Sequence, residues 1–160
     1  MRKHLIRTSA ILALLLTSAC GGTQSTATTS PASTCVNASA PHRAYVVVQH
    51  LSGTSVQRCV GFTADTIDGQ TLMDQSKIQF ETQTFSFGKA ACQIDNEPAQ
   101  FTKCVAAGQP YWSLWVQTNS KWASAQTGYT DVKLRDKEAV GWHYVQPTDP
   151  SPAPPPLANP

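Results

Sequence analysis

Five cysteines in a chain of 160 residues cannot all pair with one another, and the position of the odd one governs how the rest are read. Cys20 closes an apolar N-terminal run, while Cys35, Cys59, Cys92 and Cys104 lie in the body of the chain. With Cys20 set aside, those four can form two bridges and leave no free thiol, as suits an exported domain. Four cysteines allow three connectivities. The local pairings Cys35–Cys59 and Cys92–Cys104 are favoured, and each bridge is expected to contribute about 2–4 kcal/mol.

The N-terminus supports export. Arg2, Lys3 and Arg7 form a positive region, and Leu5 to Leu16 is mostly apolar but shorter than the roughly 20 residues a spanning helix needs. Small residues Ser18 and Ala19 then precede Cys20. This layout resembles a bacterial lipobox, with Thr17 where leucine or valine is usual. It implies a signal peptide over residues 1–19 and lipidation of Cys20, which makes the bilayer an expected partner and the outer face of the cell membrane the expected location. An ordinary signal cleaved after Ala19 is the alternative. Removing Arg2, Lys3 and Arg7 from twelve basic residues leaves nine against ten acidic ones, so the mature chain carries a formal charge of −1. Nothing in that balance suits nucleic acid as a partner.

Residues 20–42 are almost all small and polar, and read as a flexible tether. Residues 43–146 carry the apolar content of one modest domain. Tyr45 to Gln49 and Val56 to Phe62 read as a β-hairpin. A capping box at Thr71 and Asp74 predicts a helix over residues 72–79. Strands are expected at Thr84 to Phe87 and Ala91 to Ile94, with Asp95-Asn96 as a turn. The run Tyr111 to Gln117 alternates: Tyr111, Ser113, Trp115 and Gln117 on one face, Trp112, Leu114 and Val116 on the other. Thr118-Asn119-Ser120 turns the chain back through Trp122. Val132 and Leu134 fit a charged edge strand, and Val140 to Val145 a closing strand. From Pro147 onward stand seven of the eleven prolines, so residues 147–160 are expected to form a disordered tail. The order predicts an α+β domain with one short helix and mostly antiparallel hairpins.

The chemistry-bearing residues are chiefly aromatic. Tyr111, Trp115, Trp122 and Trp142 are the candidate ligand-binding set, because flat rings with polar edges suit a planar ligand. Trp115 and Trp122 are the better candidates for exposure, Trp112 being in register with Leu114 and Val116. For metal binding, His42, His50 and His143 lack close carboxylate or thiol partners, and Asp95 and Glu97 read as turn residues. No serine, histidine and acid fall into a nucleophile-elbow pattern. The chain is therefore expected not to be an enzyme and to carry no metal or cofactor.

Several of these features occur in a familiar order: Gly69-x-Thr71-Leu72, Gly88, Cys92-x-Ile94-Asp95, Tyr111-Trp112, Trp122, Gly128 and Trp142-x-Tyr144. In that order they resemble the transcobalamin-like C-terminal domain family of the soluble-ligand-binding β-grasp superfamily, in its actinobacterial secreted lipoprotein form. Asn96 stands where that family commonly has glycine, and Arg135-Asp136 where it has Gly-Asp. The resemblance implies a β-grasp-like mixed sheet and a small-molecule site of the kind that accepts a corrinoid, with a membrane transporter as an expected partner. An envelope protein-interaction or structural lipoprotein is the alternative.

Overall fold

The structure, a computed structural model, describes residues 35–86 and 88–159. Residues 1–19, Cys20 and Phe87 lie outside them. Among the described residues, ten strands and one helix are arranged as an α+β domain. In chain order they are β1 (Cys35–Val36), β2 (His42–Gln49), β3 (Ser55–Phe62), β4 (Ile67–Asp68), α1 (Gly69–Ser76), β5 (Phe80–Phe85), β6 (Gly88–Ile94), β7 (Tyr111–Thr118), β8 (Lys121–Ser124), β9 (Lys133–Leu134) and β10 (Ala139–Val145).

Six strands form the main sheet in the order β1-β3-β2-β10-β7-β8. Its centre is a parallel pair, β2 with β10, and each member carries an antiparallel neighbour on its other side. A first hairpin, a helix, and a last strand returning parallel to the first at the centre give the β-grasp-like order. Alternation sets the faces. Ala44, Val46 and Val48 of β2 join Val140, Trp142 and Tyr144 of β10 and Trp112 of β7 on the inner face. Leu72 and Met73 of α1 close over them, together with Ile94 from the β5–β6 hairpin and Tyr129 from a single 3-10 turn at Tyr129–Asp131. The opposite face carries a smaller cluster of Tyr45, Val47, Cys59 and Ala139.

Both favoured disulfides are present, Cys35–Cys59 and Cys92–Cys104. The first joins β1 to β3 at a register pair, so residues 35–42 belong to the folded domain. The tether reading is corrected for residues 35–42. The turns fall where expected. Asp95 and Asn96 take φ of 49° and 63°, and Asn119 and Ser120 take 51° and 59°, left-handed values that suit two-residue hairpin turns.

The helix differs from the expectation. It starts at Gly69, capped by Asp68 and not by Thr71. The Asp68 carboxylate accepts from the Thr71 backbone N–H at 2.8 Å and from its hydroxyl at 3.0 Å. Asp68 is fixed by pairing between β4 and β9, which sets the helix entry upstream of the sequence motif. The helix ends at Ser76, with Lys77 as its C-cap at φ of 62°, and residues 80–85 are already strand.

The tail expectation is also corrected. Pro155 and Ala158 are buried against the outer face of the sheet. The Ala158 backbone N–H donates to Gln117 Oε1 at 2.8 Å.

Candidate functional site

Strand β6 places Cys92 and Ile94 at the core, and the Asp95-Asn96 turn then reverses the chain through reciprocal bonds between Ile94 and Glu97 at 3.0 and 2.9 Å. The loop that follows, residues 98–110, returns to β7 and is stapled to β6 by Cys92–Cys104. Beneath it lies a cleft of about 880 Å³. Its floor is the pair Trp112 and Tyr144, with ring centroids 4.8 Å apart. Its buried polar group is the Gln93 amide, which donates to the Pro98 carbonyl at 2.6 Å and accepts from Gln79 Nε2 at 3.1 Å. The rim carries Tyr111, 42% exposed, and Phe101, 37% exposed.

The floor is held from behind. Trp112 Nε1 donates to the Glu97 carbonyl at 3.1 Å, which ties the ring to the β6 turn. Burial raises the Tyr144 phenol above its usual pKa, and the nearby Glu97 charge adds to the effect. Tyr144 therefore stays neutral across physiological pH.

Next to Trp112 stands a cluster that the sequence did not disclose. His50 Nδ1 lies 2.8 Å from Glu97 Oε2, and Nε2 lies 3.1 Å from Asp95 Oδ2. The imidazole meets Trp112 edge-on, with centroids 6.3 Å apart. The absence of carboxylate partners expected for His50 is thus corrected: the β2–β3 turn and the β6 turn come together in space. Both ring nitrogens face carboxylate oxygens. Glu97 also accepts from the Leu51 backbone N–H at 3.2 Å, so the cluster locks two turns behind the cleft floor. Among the described residues, no group of three or more metal-ligating side chains is placed to hold a metal ion.

The aromatic candidates divide into three places. Tyr111 is at the cleft rim. Trp115 and Trp122 are half-buried on the outer face of the sheet. Trp115 Nε1 donates to Ser113 Oγ at 3.1 Å, and Trp122 lies over Gly141. Trp142 is in the inner core, 3% exposed and packed against Phe80 and Tyr129, which removes it from the candidate set. Its place follows from register: it pairs with Leu114, an inner-face residue. The sequence set therefore does not converge on one surface. The rings that floor the cleft are Trp112 and Tyr144, and Gln93 was not singled out. Cys20 lies outside the described residues.

The fold and its bridges define a disulfide-bonded β-grasp-like domain of an oxidising, extracytoplasmic compartment. No protein-family model matches the chain, and no curated protein matches it. Among solved structures, a proposed metal binding protein from Ruminococcus gnavus is similar at 13% identity and a TM-score of 0.49, over 66% of this chain and 97% of that one.

Proposed function

We infer that this protein is an extracytoplasmic, non-catalytic domain that binds a small planar molecule in the cleft beneath loop 98–110, and that Cys20 carries the lipid that holds it to the membrane. One observation carries the binding reading: the cleft joins an aromatic floor to a buried, oriented amide. Ligand sites commonly occupy about 300–1,000 Å³ and combine apolar walls with a few placed polar groups, and the cleft of about 880 Å³ falls within that range. Tyr111 at the rim offers a ring for stacking. The order of motifs that resembles the transcobalamin-like family makes a corrinoid the first probe, and a membrane transporter a natural recipient of the ligand.

Isothermal titration of the mature protein with corrinoids and other planar metabolites tests this. Saturable heat that falls at least about ten-fold in affinity with Tyr111→Ala supports the reading. No heat at millimolar ligand contradicts it. A second reading, an envelope protein-interaction module, is favoured by Val105, which is 54% exposed on the same loop near Phe101. Retention of a partner from solubilised envelopes by the wild type, lost in Phe101→Ser with Val105→Ser, would favour that version.

A further inference from the structure

The proline-rich tail meets the outer face of the sheet with a regular period. Pro155 and Ala158 are buried and Pro152 is half-buried, while the residues between them face outward. Three residues per turn is the period of a polyproline II helix, which proline favours by fixing φ and lacking an N–H. The rise agrees as well. Ala153 lies against His143 and Ala158 packs in the cluster of Ala139, so the tail descends along β10. Five tail residues at about 3.1 Å each nearly match four strand residues at about 3.3 Å each.

The sheet presents a matched set to this chain. A Cβ at Gly141 would stand 2.6 Å from Pro155 Cγ and 2.7 Å from the Trp122 ring, so the bare glycine makes the slot that proline and indole share. His143 Nδ1 donates to the Ala153 carbonyl at 2.7 Å. Gln117, itself buried, accepts the Ala158 N–H. The Gln57 amide donates to the Asn159 carbonyl at 2.7 Å and accepts its N–H at 2.8 Å. All four bonds go to tail backbone. A groove that reads backbone, and whose only sequence demand is a proline or small residue at every third position, suits any chain with that spacing. The tail also leaves one demand unmet, since the Trp122 indole N–H is buried with no acceptor among the described residues.

We propose that the outer face of the sheet is a docking groove for an extended, uncharged proline-rich segment of another polypeptide, with the pattern Pro-x-x-Pro-x-x-Ala, and that the protein's own tail fills this groove in cis until such a segment displaces it. A short connection gives the cis tail an effective concentration in the millimolar range. Displacement therefore favours a partner held on the same membrane surface or carrying several copies of the segment.

The test uses the full mature chain and a synthetic peptide with the sequence of residues 147–160. Pro155→Asp with Ala158→Asp removes the cis occupant. The Gly141 amide and Trp122 indole signals are followed by NMR as peptide is added. The tail variant is expected to bind saturably, with affinity at least about ten-fold above the apparent affinity of the wild type, in which the tail competes. Adding His143→Ala and Gln57→Ala to that variant weakens binding about ten-fold or more. A peptide of the same composition, scrambled to break the three-residue period, does not bind. A folded tail variant that ignores the peptide overturns the proposal, as does equal binding by wild type and variant or by native and scrambled peptide. If the tail variant does not fold, the wild type is titrated to about 10 mM peptide, above the cis effective concentration. Movement of both signals then supports displacement, and their constancy refutes it.

Discussion

Replacing Cys92 and Cys104 together by alanine tests how far the cleft depends on its staple. The bridge spans 12 residues. Closing a loop of that size removes about 3 kcal/mol of denatured-state entropy at 25 °C. The longer Cys35–Cys59 bridge, at a separation of 24, exceeds it by only about 0.6 kcal/mol, the increment for a doubling. A loss of about 3 kcal/mol is large against a domain stability of about 5–15 kcal/mol. It lowers Tm by about 10 °C for a chain of this size. Little else ties the loop down. The Gln93 bond to Pro98 is the principal one. Urea unfolding followed by circular dichroism reads both the stability and the slope m, which should rise because the uncrosslinked denatured chain exposes more surface. A loss below about 1 kcal/mol with unchanged m would show instead that the loop is closed by contacts other than the bridge.

Three further perturbations separate core, cluster and cap. Trp142→Ala should cost about 3–5 kcal/mol, and Trp115→Ala at least about 2 kcal/mol less; equal losses in urea unfolding would contradict the assignment of the two faces. His50→Ala removes the shared partner of Asp95 and Glu97, and should cost about 1–2 kcal/mol after allowance for partial exposure, with faster amide exchange at Leu51; unchanged exchange and stability would show that the two turns are locked by other means. Asp68→Ala should cost about 1 kcal/mol at neutral pH. The Thr71 backbone N–H, ahead of an opposing effect of burial, holds the Asp68 carboxyl below its ordinary value. Its contribution is therefore whole above the unfolded pKa of about 3.9 and is lost as pH falls through the lower folded value. The stability gap between wild type and Asp68→Ala should narrow over that acid range, and a constant gap would contradict the cap.

Local pattern and tertiary placement were not equally legible. Hairpins at Asp95-Asn96 and Asn119-Ser120 could be read because residues that tolerate left-handed φ stand between alternating strands. The two faces of Tyr111 to Gln117 followed from the pleat alone. The helix start did not, since Asp68 and Thr71 are both competent caps three residues apart and the pairing of β4 with β9 chooses between them. His50 gained its carboxylates from 45 and 47 residues away, a distance over which no local period operates. Trp142 looked like the other tryptophans until its register partner was known. The tail carried a usable signal that composition masked: Pro152, Pro155 and Ala158 are spaced by three, the polyproline repeat, and Gly141 in a central strand marks where another chain approaches closely.

The most direct measurement is an NMR titration of the four tryptophan indole N–H signals with a corrinoid. The Trp112 signal should move saturably, since that ring floors the cleft, with Trp115, Trp122 and Trp142 nearly still. Binding that moves Trp115 and Trp122 while Trp112 stays fixed, or no movement at millimolar ligand, would contradict the cleft as the binding site.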